Sequence, residues 1–269
     1  MHSIRLHILQ ALVAASASID RAYRLFSSLR SEFLVAAVPE KDWLEFNISS
    51  INRNGSYLSS IHNDRIFDWE KRAIERYFPP PPARILVGAA GGGREIKYLA
   101  DMGYFVAGFE PSPKLVSHAK NQVLPEQLLG LEIAAYEDFT NGMPNIEALA
   151  PFDAVILGWG SIHHLGLPQA RQAVLGKLRA LCPAGPVLLS WLKAGPPGAR
   201  KLMLKSLLTK IGLTHGRANK AFWMNEGFIH FLSRDDIAAM ARSAGYGVAF
   251  AEDCLSYPHA VLNVEKGSQ

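Results

Sequence analysis

The chain has 269 residues, 49% of them hydrophobic and 19% charged, and a formal net charge of +4. That balance excludes a disordered or low-complexity polymer and fits one α/β domain with additions, or two small domains. Two cysteines, Cys182 and Cys254, supply neither a disulfide framework nor a metal spacing, and favour a reducing, cytoplasmic setting.

Residues 1–78 read as mostly helical. The opening MHSIRLHILQALVAASAS has the outline of a signal peptide, but His7 and Gln10 interrupt its apolar core. Helical spacing continues through Ile19, Tyr23, Phe26, Arg30 and Phe33, so an amphipathic helix is the reading adopted. No apolar run reaches transmembrane length. A helix over about 68–77 meets Pro79-Pro80-Pro81-Pro82, which cannot continue it and forms a stiff extended spacer. This boundary separates a helical N-terminal cap, 1–78, from a second domain, 79–269.

Strand signals then alternate with helical ones at 84–89, 104–110, 130–136, 152–158, 186–192, 246–252 and 259–265. Such alternation predicts a parallel sheet with helices on both faces. Ser233 and Asp236 approximate a capping box for the helix before the sixth strand, and Gly245 ends it. Residues 194–230 break the alternation and read as a lid-like insertion. It is helical over about 199–211 and carries Phe222, Trp223 and Phe228.

The most informative stretch begins with Ile85-Leu86-Val87, which leads into Gly88, Gly91, Gly92 and Gly93. A helical segment and a second apolar run, 105–109, follow and stop at Glu110. Strand, glycine turn, helix, strand and terminal acid make a nucleotide-binding half of an α/β fold. A dinucleotide fingerprint would need a third glycine where Ile96 stands. The stretch instead resembles motif I of the class I S-adenosylmethionine (SAM) methyltransferases, here Ala89-Ala90-Gly91-Gly92-Gly93. It departs from that motif at Ala89, where a glycine is usual, and at Val87, where many members carry an acid.

The resemblance covers 84–192 and, more weakly, 233–265. It implies a seven-stranded, mostly parallel sheet whose last strand returns antiparallel, with SAM as methyl donor and S-adenosylhomocysteine as product. Gly88, Ala89, Ala90, Gly91 and Gly93 are implied around the donor's amino acid and sulfonium. Glu110 is implied on the ribose hydroxyls, followed by Pro111 in the turn. Tyr136 would pack on the adenine, with Glu137 or Asp138 accepting from its amino group.

The fourth strand runs into Gly158-Trp159-Gly160-Ser161-Ile162-His163-His164. This resembles motif IV, which places Gly158 and Trp159 beneath the transferable methyl. It lacks the N/D-P-P-Y/F tetrad of enzymes that methylate adenine amino groups or glutamine amides, which argues against DNA as acceptor. His163 and His164 are the candidate catalytic pair, the second facing the acceptor, where a neutral imidazole takes a proton. A purely structural role for them stays open. No metal is assigned, because adjacent residues cannot both face one ion. Trp159 and Trp191 either line an aromatic pocket or belong to the core.

Between Asp153 and Glu226 there is no acidic residue but ten basic ones, leaving 18 Lys and Arg against 24 Asp and Glu elsewhere. A one-sign field attracts anions. The expected acceptor is therefore a small molecule bearing an anionic group, methylated on oxygen or nitrogen and held near Lys193, Arg200, Lys201 and Lys205. An RNA methyltransferase, a non-catalytic binding subunit and docking on an anionic membrane surface remain as alternatives.

Overall fold

Ile85, Leu86 and Val87 are fully buried, as are Val106 and Ala107 on the neighbouring strand. Burial of consecutive residues marks parallel strands covered on both faces. The computed structural model describes residues 2–53, 58, 65–193, 219–254 and 257–265. In chain order its strands are β1 (Arg84–Gly88), β2 (Phe105–Glu110), β3 (Leu128–Ile133), β4 (Ala154–Leu157) and β5 (Val187–Ser190). They are followed by β6 (Lys220–Trp223), β7 (Gly227–His230), β8 (Tyr246–Glu252) and β9 (His259–Val264).

Seven of these strands form one sheet in the order β3-β2-β1-β4-β5-β9-β8. Strands β1 to β5 pair in parallel, and β9 runs antiparallel to both β5 and β8. The order reverses between β1 and β4, which opens a crevice at their carboxyl ends. Leu86 belongs to one buried apolar cluster, whereas Ile85 and Val87 belong to the other, so the sheet separates two cores. Each fully buried Leu or Ile contributes roughly 1.5–3 kcal/mol relative to exposure.

The helices preceding the sheet are α1 (His2–Ala37), α2 (Trp43–Arg53) and α3 (Asp68–Tyr77). The others are α4 (Arg94–Asp101), α5 (Pro113–Lys120), α6 (Tyr136–Asn141), α7 (Pro144–Glu147), α8 (Pro168–Leu181) and α9 (Arg234–Ser243). A buried ion cluster fixes α3 against the start of α4: Arg94 pairs with Glu70 at 2.8 Å and also with Glu95. The Arg94 guanidinium lies 4.1 Å from the ring of Phe67. No helix among the described residues is long and apolar enough to cross a membrane.

Two expectations differ from the structure. The third strand occupies 128–133 rather than 130–136, and Tyr136 opens α6 instead of closing the strand. The cause is local: the Asp138 carboxylate accepts the Ala135 N–H at 2.8 Å, which caps a helix there. Residues 220–230, read as part of a lid, form the β6–β7 hairpin. Trp43 stacks on Phe228 at 4.7 Å, and the Phe222 N–H donates to Ser31 Oγ at 2.9 Å, so the hairpin packs on α1 and α2. The helix expected over 199–211 lies outside the described residues.

Candidate active site

The glycine turn after β1 is built from left-handed backbone. Ala89 has φ of 51°, and Gly91 and Gly93 have φ of 54° and 92°. A Cβ on Gly91 would meet nothing within 4 Å, which leaves its backbone open to a ligand, whereas one on Gly93 would lie 2.6 Å from Ala119 Cβ on α5. One glycine thus serves the cavity and the other serves packing. Ala89 adopts the same region with a side chain attached, at a cost of roughly 1–2 kcal/mol.

Glu110 ends β2 facing this turn. Its Oε2 accepts the Gly91 N–H and its Oε1 accepts the Ser112 N–H, each at 3.0 Å. Burial pushes its carboxyl up to about 7, against the lowering effect of those two bonds. Around these groups lies a cavity of about 460 Å³, within the range of small-molecule sites. Ala89, Gly91, Glu110 and Pro111 form one end of it. Tyr136, Glu137, Trp159 and His164 line it from the other strand ends.

Among the remaining expected cofactor residues, Gly88, Ala90, Gly93 and Gly158 stand behind the wall. The Gly158 N–H donates to Gly88 O at 2.8 Å, and the Ala90 N–H donates to Phe109 O at 3.0 Å. Tyr136 is buried edge-on to Phe109 and shares a 2.6 Å hydrogen bond with Ser161 Oγ. Burial raises the pKa of Glu137, whereas Asp138 is committed to capping α6. Trp159 packs against Phe67, with ring centroids 5.3 Å apart, while Trp191 is core.

The paired histidines diverge. His164 lines the cavity, and its Nδ1 lies 3.2 Å from both Asn47 Nδ2 and Phe228 O. Burial holds its pKa down to about 4, so the imidazole is neutral at physiological pH. His163 is buried away from the cavity with its Nε2 3.7 Å from Glu226 Oε2, and burial followed by the neighbouring His164 lowers its pKa.

The opposite wall comes from a source that sequence reasoning missed. Lys41, Trp43, Leu44, Asn47, Ile48 and Ile51, on and just before α2, roof the cavity. Asn47 Oδ1 accepts the Phe228 N–H at 2.6 Å and its Nδ2 donates to Phe228 O at 3.1 Å. At the far end of α2, Ser112 Oγ and Asn52 Oδ1 are 2.5 Å apart, which tethers the helix to the end of β2. The available signal was a polar Asn47 between Trp43 and Ser50 on the buried face of α2.

Lys193 pairs with Asp253 at 2.6 Å and does not line the cavity; Arg200, Lys201 and Lys205 lie outside the described residues. Lys220 pairs with Glu40 beside Trp43.

This strand order, glycine turn and strand-end acid define a class I SAM-dependent methyltransferase fold, with the cavity beside them as its candidate site. A family model described as "Methyltransferase domain" matches residues 86–189, and the chain carries that domain. It is an enzyme of methyl transfer, with SAM as its donor. A comparison with curated proteins gave no significant match.

Solved structures agree in fold. A SAM-dependent methyltransferase from Methanosarcina mazei is 11% identical with a TM-score of 0.56, over 74% of this chain and 98% of that one. The magnesium protoporphyrin IX methyltransferase of Synechocystis PCC 6803, crystallised with SAM, is 15% identical with a TM-score of 0.53, over 85% and 99%. A Rhodobacter sphaeroides structure described as putative Zn-dependent alcohol dehydrogenases is 13% identical with a TM-score of 0.58, over 81% and 98%. At these identities the likeness concerns the fold alone.

Proposed function

We propose that the enzyme transfers a methyl group to an oxygen or nitrogen of a small-molecule acceptor bearing an anionic group, in the cytoplasm. The observation that carries this reading is a single cavity of about 460 Å³ joining Gly91 and Glu110 at one end to His164 under the α2 roof. A cavity of that size lies within the range of small-molecule sites. The anionic character rests on the acid-free interval 154–225 of the sequence and on Lys41, the cation of a cavity wall that also carries Glu40, Glu110 and Glu137.

The bound donor supplies a sulfonium-activated methyl. In this reading Gly91 leaves room for its approach, Glu110 accepts the ribose hydroxyls and Glu137 accepts from the adenine amino group, as supported by their sharing one cavity. Because the methyl is already activated, the protein mainly aligns the nucleophile and excludes water. The apolar roof residues Trp43, Ile48 and Ile51 serve the second task. In this reading the neutral imidazole of His164, on the cavity wall, receives the acceptor's proton, either as the nucleophile attacks or after transfer. His163, behind it, belongs to the same loop and keeps a structural part in this scheme.

The reading is tested with methyl-labelled SAM and a cell extract separated into small anionic metabolites, other small molecules, RNA and protein. Label in the small anionic fraction is expected, and it should vanish with His164→Ala. Label in the RNA fraction instead would replace this reading with an RNA methyltransferase. Binding of S-adenosylhomocysteine with no transfer to any fraction would indicate a non-catalytic subunit.

A further inference from the structure

Helix α1 presents an apolar stripe that the body of the protein does not use. Its C-terminal part is anchored, with Glu32 and Val35 buried. Every described side chain from Leu9 to Phe26 is exposed, however. Nine large apolar side chains between Leu9 and Phe33 are 40–69% exposed. Single exposed apolar residues are ordinary, but a continuous run of them on one helix marks a contact surface.

The spacing identifies what the surface fits. Positions 9, 12, 16, 19, 23, 26, 30 and 33 alternate in steps of three and four, and read Leu, Leu, Ser, Ile, Tyr, Phe, Arg and Phe. That is the 3.5-residue period of a seam against another helix. At ~1.5 Å per residue the seam is ~36 Å long. Helices that lie on membranes combine such an apolar face with many Lys and Arg. Here α1 has no lysine, and four arginines against Asp20 and Glu32.

We propose that α1 pairs antiparallel with α1 of a second copy of this chain, making the enzyme a dimer. A two-fold axis near residue 21 sets Ile19 across from Tyr23 and the small Ser16 across from Phe26. It also sets Arg30 across from Leu12, so the guanidinium stem covers an apolar neighbour and the charged end reaches water. A parallel, in-register pair would instead put Arg30 beside Arg30 and Phe26 beside Phe26. The antiparallel arrangement also carries the two globular bodies to opposite ends of the helix pair. Because the same face meets itself, the contact closes at two copies.

In sedimentation velocity the full chain should run at twice its 29.5 kDa mass across micromolar concentrations. The variant Leu12→Glu/Phe26→Glu should run as a monomer, with affinity for S-adenosylhomocysteine unchanged by calorimetry, which shows that the fold is intact. In a Cys254→Ser background, chains with Ile19→Cys mixed with chains with Tyr23→Cys should become disulfide-linked, and Ile19→Cys alone should not. A chain that is monomeric throughout, whether or not it co-sediments with phosphatidylserine vesicles, overturns the proposal. So does self-linkage of Ile19→Cys, which reports a parallel pair.

Discussion

Asn47 holds both polar groups of the Phe228 backbone: its Oδ1 accepts the N–H at 2.6 Å and its Nδ2 donates to the carbonyl at 3.1 Å. Through this one side chain the helix that precedes the sheet is locked to a hairpin that follows β5. Both flank His164, so the clamp sets one wall of the cavity. Replacing Asn47 by the similarly sized Leu strands the buried Phe228 N–H and leaves the Phe228 carbonyl to His164 Nδ1, at roughly 1–3 kcal/mol for the unpaired donor. Denaturant unfolding of Asn47→Leu should show a loss of about 1–3 kcal/mol. Asn47→Asp keeps an acceptor for the Phe228 N–H but turns a buried carboxylate oxygen toward the Phe228 carbonyl, so it should also lose stability. Equal stability of all three proteins would show that the clamp is not formed in solution.

Glu110 links cofactor affinity to pH. Its carboxyl is pushed up to about 7 by burial, and ribose hydroxyls would donate to the ionised form. Below pH 7 the proton must leave before the donor binds. Calorimetric affinity for S-adenosylhomocysteine should therefore fall about tenfold per pH unit below 7 and level off above it. Glu110→Gln should bind about 10- to 100-fold more weakly at pH 8, with a flat profile. An identical slope in the variant would assign the dependence to another group.

Ala89 offers a gain. Its φ of 51° is unfavourable for a residue with a side chain and ordinary for glycine. Relief of about 1–2 kcal/mol is partly offset by the extra freedom glycine has in the unfolded chain. Ala89→Gly should be more stable by about 0.5–1 kcal/mol and melt about 1–4 °C higher by calorimetry. A lower melting point would mean that the methyl group of Ala89 contributes contacts worth more than the strain.

His164 carries an acid-side signature. Its folded pKa of about 4 lies below the ordinary value of 6.5, so the unfolded chain binds the proton more readily. Its contribution to stability is present above pH 6.5 and is lost as pH falls toward 4, by about 3 kcal/mol in all. Nitrogen-15 NMR should show a neutral ring at pH 6, and the stability profile of His164→Gln should lack that part of the slope. A ring that titrates near 6.5 would remove the physical basis for a neutral base at this site.

What the sequence disclosed and what it hid follow from the range of the interactions. The glycine turn, the strand-end acid and the alternation of strands and helices are local patterns, and each strand is set by a short apolar run. The cap of α6 is equally local, yet the apolar Ala134-Ala135 before Tyr136 masks it, and Asp138 resembles a ligand more than a cap. The roof was hidden because its contacts span great distances along the chain. Asn47 reaches His164 across 117 positions and Phe228 across 181, and nothing near Asn47 announces either. The hairpin was misread for a related reason: its aromatic residues resemble a mobile cover until Trp43 is seen stacked on Phe228.

The separation of 181 positions between Asn47 and Phe228 also has a temporal meaning. During synthesis α2 leaves the ribosome early, but the strand that secures it is made only after most of the chain has emerged. The glycine turn and Glu110, 19 residues apart, can associate much sooner. The methyl-donor end can therefore take shape on a nascent chain whose roof is not yet secured. A chain released short of the hairpin would carry every residue of the cavity wall and lack the clasp that holds them together.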